Sequence, residues 1–246
     1  MTDLSKIYVY AIIDSNAVAD ELRLSGFNNN PVYSIPFNDI AAVVCDFSSE
    51  IKDIKAGVVQ HEKTVEKLME THTVLPMRFQ TIFNNKDNVV STVEKFYVDF
   101  KNNLERLYSK VEFGVKVLWS GDKIKEDIIK DYDETENAAL SGNSPAKEYL
   151  KKKYKAYKID KIFKEKAEAL AAEIDKYFVE IAVERKLKKL QTDKLLLNAA
   201  YLIEKSQKDK IFRVFKKLKK EVSDLEFLFS GPWPAYNFIK LKKKDV

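Results

Sequence analysis

The apolar residues change their period several times along the chain, and each change predicts an element. Lys6 to Ile13 (Lys-Ile-Tyr-Val-Tyr-Ala-Ile-Ile) is β-branched and aromatic and predicts a buried strand. Asp14-Ser15-Asn16 can end it and cap a short helix over 17–24. After the turn residues Gly26 to Pro31, two apolar runs, Val32 to Pro36 and Ile40 to Cys45, are separated only by Phe37-Asn38-Asp39, which predicts a hairpin. From Val58 the period lengthens. Val58, Val65, Leu68, Met69 and His72 fall near helical spacing, so 57–71 reads as an amphipathic helix. Thr73 to Phe83 returns to strand character, with Pro76 at a strand start or sheet edge because proline has no backbone N–H. Val89, Val93, Phe96, Tyr97, Phe100, Leu104 and Leu107 then predict one helix over 88–109.

A second strong strand, Val111 to Trp119, opens a region in which helical spacing dominates. Asp122 to Asp131 suits a short helix, and the small polar residues Asn137 to Asn143 read as a loop. Ser144-Pro145 is a helix start. From there apolar residues keep helical spacing over 145–185, as one projecting helix or as two that break near Lys158 to Asp160. Lys194 to Ile203 reads as a central strand, Ile211 to Leu218 as a helix and Leu225 to Phe229 as a closing strand. The expected class is α+β in two domains. Residues 1–110 form a β-rich α+β domain, and residues 111–246 a modified ferredoxin-like domain with a long helical insertion and an aromatic, proline-containing tail.

Composition sharpens the picture in three places. Hydrophobic residues make up 45% and charged residues 33% of the 246, enough apolar surface for a packed core. Residues 1–110 carry 12 Lys and Arg against 15 Asp and Glu, whereas 111–246 carry 31 against 23, so the two halves present opposite charge. Lysine supplies nearly all of that positive charge and alternates with acids, which suits a wet helix face better than a nucleic-acid groove. No uncharged apolar run approaches the roughly 20 residues of a membrane span. No basic, then apolar, leader is visible either, so neither membrane nor nucleic acid is expected as a partner. A single cysteine, Cys45, allows no internal disulfide and suits a cytoplasmic setting.

Catalytic patterns are absent. The six glycines form no phosphate loop, and His61-Glu62 begins a zinc motif that Val65 does not complete. His61 and His72 lie about three helical turns apart and would need a third metal ligand, for which Glu62 and Glu66 are the only local candidates. Packing or surface roles fit the two histidines better. Cys45 sits in an apolar strand with nothing to activate it. No catalytic residue, metal or cofactor is expected. Two segments remain. Arg78, between Met77 and Phe79 and close to Pro76, is an outward-facing edge residue, a buried ionic tie or a partner-binding charge. Ser230-Gly231-Pro232-Trp233-Pro234-Ala235-Tyr236-Asn237-Phe238 is stiff and aromatic, and forms either a clasp on the protein itself or a docking strip.

Together these segments resemble the gas vesicle GvpF/GvpL family. Ile7 to Ile12 is similar to that family's first strand. Val74-Leu75-Pro76-Met77-Arg78-Phe79-Gln80-Thr81 is similar to its Val-Leu-Pro-Leu-Arg-Phe-Gly-Thr segment, and Leu196 to Ile203 to its second-half strand. Gly231-Pro232-Trp233-Pro234-Ala235-Tyr236-Asn237-Phe238 resembles its Gly-Pro-Trp-Pro-Pro-Tyr-Ser-Phe ending. The departures are Gln80 for glycine, Ala235 for proline and Asn237 for serine. The resemblance implies a non-enzymatic accessory or minor structural protein of gas vesicles in the cytoplasm. It would bind the hydrophobic major shell protein and other accessory proteins during assembly. Pro76, Arg78, Phe79, Pro232, Trp233, Pro234 and Tyr236 are the candidate partner-binding or structural residues. The alternative is a ferredoxin-like protein that binds or transforms a small ligand.

Overall fold

The structure, a computed structural model, describes residues 6–14, 24–48, 51–136, 145–192, 194–222 and 224–242. The helix expected over 17–24 and the loop expected over 137–143 fall wholly or mostly outside these residues. The chain forms two compact units, Met1–Glu112 with Gly231–Val246, and Phe113–Ser230. The tail, expected in the second domain, therefore belongs with the first.

In the first unit, β1 (Lys6–Asp14) lies between β3 (Ile40–Phe47) and β4 (Val74–Pro76), with β2 (Val32–Phe37) outside β3 and the two-residue β5 (Ile82–Phe83) also on β1. All four pairings are antiparallel. The β2–β3 hairpin turns at Asn38-Asp39, with Asn38 at φ 53°, a left-handed conformation asparagine tolerates. The first helix, α1 (Ile54–Thr71), starts at Asp53, whose carboxylate accepts from the Ala56 N–H at 3.0 Å. It buries Gly57, His61, Thr64, Val65 and Leu68. The helix expected over 88–109 is instead α2 (Lys86–Lys95) and α3 (Tyr97–Leu107), bent at Phe96. The i to i−4 bonds of Phe96 and Phe100 continue across the bend, so the apolar faces of both parts stay inward. Both α1 and α3 pack on β1 and β4. Every residue of β1 from Ile7 to Ile13 is buried, which a strand achieves only when both sheet faces are covered.

The run 73–83 is not one strand. Pro76 ends β4, and a turn at 77–81 separates it from β5. The turn closes with Thr81 donating to the Arg78 carbonyl through N–H at 3.1 Å and through Oγ1 at 2.7 Å. Gln80 takes φ 65°, the conformation that glycine adopts without steric cost.

The second unit contains most of β6 (Lys110–Leu118), then α4 (Gly121–Glu136), α5 (Pro145–Val179), β7 (Glu184–Leu187), β8 (Leu195–Glu204), α6 (Lys208–Glu221) and most of β9 (Glu226–Trp233). The sheet order is β7-β8-β6-β9. The element order is that of a ferredoxin-like split β-α-β, with α4 and α5 in the place of the first helix. One open alternative is decided here and one expectation corrected. The long helix does not break near Lys158 to Asp160, where Asp160–Lys164 (2.8 Å) and Lys161–Glu165 (3.7 Å) ion pairs run across the site. It also stops at Val179, so 184–187 is an edge strand and not helix. Helical spacing misassigned these residues because a four-residue edge strand, exposed from Arg185 onward, carries no alternation to read. The core on this sheet is aromatic: Phe113 stacks on Phe229 at 5.2 Å and meets Phe212 edge-on at 5.5 Å, and Phe178 lies 5.2 Å from Tyr201.

Candidate functional site

Two buried polar constructions hold the motif residues, both in the first unit. The first centres on Tyr8 of β1. Its hydroxyl contacts His61 Nδ1 at 2.8 Å and accepts from the Gln80 N–H at 3.1 Å. His61 Nε2 faces the Met77 carbonyl at 3.2 Å, an acceptor only, so Nε2 carries the proton. Nδ1 is then the acceptor for Tyr8. A single chain of bonds thus fixes the 77–80 turn: Gln80 N–H to Tyr8, Tyr8 to His61, His61 to Met77. Met77 N–H also donates to the Tyr10 carbonyl at 2.9 Å. Both His61 nitrogens are engaged, and burial holds its pKa below the ordinary histidine value. Phe79 closes over α1. A Cβ on Gly57 would sit 3.1 Å from the Phe79 ring, and that ring meets His61 edge-on at 6.0 Å.

The neutral state of His61 has a consequence for stability. Its folded pKa is depressed, so its contribution is present above the unfolded value near 6.5 and is lost as pH falls toward the folded value. Between pH 7 and 5 the protein is expected to lose up to about 2 kcal/mol through this group. Urea unfolding across that range checks it, with His61→Gln flattening the dependence. A second expectation concerns Gln80. Gln80→Gly should raise stability by up to about 1 kcal/mol, and Gln80→Val should lower it by about 1–2 kcal/mol, because a β-branched residue fits the left-handed region worst. Thermal melts of the two variants moving in the same direction would refute this.

The second construction is the tail. After β9, whose Gly231–Pro232 bond is cis, the chain runs back over the first unit. Pro234, Ala235 and Phe238 are buried. Asn237 donates to the buried Glu112 carboxylate through its N–H at 2.8 Å and through Nδ2. Arg106 donates to the Phe238 carbonyl. Asn103 brackets Lys240, donating to its carbonyl at 2.7 Å and accepting from its N–H at 2.9 Å. Asp99 accepts from the Lys242 N–H at 3.0 Å. Asp99, Asn103 and Arg106 lie at i, i+4 and i+7 of α3, so one helical stripe binds the tail backbone as if it were an extended peptide.

Each candidate residue now has a place. Pro76 is buried at the end of β4 opposite Ala11, Phe79 is half-buried on α1, and Pro234 is buried in the tail. Pro232 and Trp233 are half-buried at the end of β9. Tyr236 is partly exposed. Its hydroxyl lies above the ordinary tyrosine range, chiefly through desolvation and then through Glu62, Tyr8, Glu112 and Glu66. Arg78 is exposed, and among the described residues its guanidinium makes no hydrogen bond or ion pair. The buried ionic tie considered for it is therefore not formed. Asp99, Asn103, Arg106 and Glu112, which hold the tail, carry no motif, and Tyr8 lies in the first-strand segment, where nothing in the sequence marks its polar role. Only Asp99, Asn103 and Arg106 left a trace, as polar residues at helical spacing beside an apolar stripe.

Other chemistry-bearing groups serve the fold. Cys45 is buried against Tyr10 Oη at 3.4 Å, and burial pushes its thiol up. Among the described residues no three His, Cys, Asp or Glu side chains could hold a metal ion. An open cavity of about 440 Å³ lies beside α1 between Phe27, Phe47, Ile51 and Gly57. Two of its polar groups are engaged within the fold: Asp53 caps α1, and Gln60 Nε2 donates to the Gly26 carbonyl at 2.5 Å.

The fold and these constructions define a class, a two-unit α+β protein whose buried polar side chains tie down its own motif turn and tail. The family model for gas vesicle synthesis protein GvpL/GvpF matches residues 6–240, and the chain belongs to that family. It is 23% identical over 242 residues to gas vesicle protein F2 of Halobacterium salinarum, covering 96% of this chain and 93% of that protein. It is also 23% identical over 252 residues to gas vesicle protein L1 of the same organism, covering 94% and 89%. The fold matches the crystal structure of GvpF from Anabaena sp. PCC7120 with a TM-score of 0.82 at 17% identity, covering 98% of this chain and 99% of that one. The match to GvpF from Microcystis aeruginosa has a TM-score of 0.81 at 20% identity, covering 96% and 100%. The role of the chain is thus an accessory one in gas vesicles. No helix among the described residues is long and apolar enough to cross a membrane.

Proposed function

We propose that this protein binds the hydrophobic gas vesicle shell protein during assembly in the cytoplasm, together with other gas vesicle accessory proteins, and that the turn bearing Arg78 is part of the contact. The observation that carries this reading is the contrast within the turn. Its backbone is fixed by Tyr8, His61, Tyr10 and Thr81, while the guanidinium projects into solvent without an internal partner among the described residues. A rigid turn presenting one five-donor cation loses little entropy when that cation docks. Partly exposed Tyr236 is a further candidate contact. Pro76, Phe79, Pro232, Trp233 and Pro234 support these positions through packing.

The test is co-expression with the shell protein and affinity purification at low and high salt. The shell protein is expected to stay soluble and co-purify. Arg78→Glu should reduce its recovery at least about tenfold at low salt with an unchanged melting temperature. Equal recovery with Arg78→Glu would remove the turn from the contact. Absence of the shell protein at either salt would overturn direct shell binding.

A further inference from the structure

An exposed helix ordinarily turns a polar face to water. The first half of α5 exposes an apolar arc among its lysines. Leu150, Tyr154 and Tyr157 are 65%, 53% and 65% exposed. At about 100° per residue they share an arc of roughly 60°, centred almost opposite Ile159, the buried residue that marks the inward side of the helix. On that inward side Lys155 pairs with Asp133 of α4. The apolar arc is therefore not the edge of a packed face.

Its spacing, four residues and then three, is that of a coiled-coil seam, with Leu150 and Tyr157 in d positions and Tyr154 in an a position. The register places Lys151 and Lys158 at e, and Lys153 and Asp160 at g. Six lysines and one acid, Glu148, lie between residues 147 and 158. Among the described residues Lys147, Lys151 and Lys152 form no ion pair, whereas farther along the helix Lys161 and Lys164 pair with Glu165 and Asp160.

We propose that this seam docks one helix of a partner protein, with acidic side chains flanking the partner's own apolar stripe. Charge complementarity selects the occupant, since e and g residues choose coiled-coil partners and those offered here are mainly lysines. Tyr149, 60% exposed, lies about 100° to one side, but Lys153 stands over its ring at 5.0 Å, so the open stripe is narrower than the broad apolar face that a helix buries in a lipid interface. A nucleic-acid base would need an open ring face, and Lys158 lies over the Tyr154 ring at 5.4 Å. The seam spans about two helical turns, so it adds to a larger interface and does not act alone. It goes beyond the shell-protein reading and uses none of the residues on which that reading rests.

The test uses the full chain and four fluorescent probes: a three-heptad peptide with Leu at a and d and Glu at e and g, the same peptide with Lys at e and g, an oligo-dT strand, and phosphatidylglycerol vesicles. The Glu peptide is expected to bind at least about tenfold tighter than the Lys peptide. Tyr154→Ser with Tyr157→Ser should abolish the difference, and Lys151→Glu with Lys158→Glu should reverse the preference. Lys151, Tyr154 and Tyr157 are exposed and Lys158 is half-buried, so melting temperatures should hold and a loss of binding reports the seam. Equal affinity for the two peptides, no binding of either, or tighter binding of DNA or vesicles than of the Glu peptide would overturn the proposal.

Discussion

Asp175→Ala is expected to destabilise the protein by about 3 kcal/mol. Asp175, on α5, is buried and accepts from the Tyr201 hydroxyl of β8 at 2.6 Å, while Arg185 of β7 pairs with its other oxygen. Truncation leaves the fully buried Tyr201 hydroxyl without its acceptor and Arg185 without its counter-charge. Arg185 keeps 41% of its side chain in water, which screens its share and holds the effect below the upper end for buried pairs. Arg185→Met alone should cost about 1–2 kcal/mol, less than Asp175→Ala, because the buried carboxylate keeps the Tyr201 hydroxyl but loses its counter-charge. Urea unfolding measures both, and an Asp175→Asn/Tyr201→Phe cycle isolates the hydroxyl–carboxylate coupling. A loss of less than about 1 kcal/mol for Asp175→Ala would mean that the three elements are held by their apolar contacts alone.

Glu112→Ala is expected to cost about 2 kcal/mol and to release the tail. The carboxylate is buried, and its bonds to Asn237 join two segments 125 residues apart in sequence. Its removal leaves the Asn237 N–H without that acceptor and frees the first point at which the tail is held. Trypsin reports the second effect. In the native protein both backbone groups of Lys240 are bonded to Asn103, so cleavage there should be slow. Glu112→Ala should accelerate it at least about tenfold, as local opening becomes easier. An unchanged rate would show that Asn103 and Asp99 suffice to hold the tail.

Both effects depend on contacts that no local pattern announces, and this marks where sequence reading stopped. The first strand, the hairpin, α1, β6, β8 and α6 were all legible, because each carries a regular apolar period that burial on a sheet enforces. The motif segments were legible too, and their resemblance pointed to the right family. Arg78 stood out as a lone charge in an apolar run, although its exposure could not be read from that run. The turn beside it was concealed because Gln80 stands where a glycine would have announced the left-handed backbone.

By itself, then, the sequence determined the element types wherever one face of a long segment had to be apolar, the opposite charge of the two halves, and the family. Tertiary structure decided the division of the tail, the tautomer of His61, the continuity of α5 and the existence of β7. The physical reason is range. Periodicity records a residue's relation to neighbours three or four positions away, whereas Glu112 with Asn237, Asn103 with Lys240 and Tyr8 with Gln80 are paired across 72 to 137 residues. A buried polar group must find a partner, but only the folded chain specifies which one lies within 3 Å.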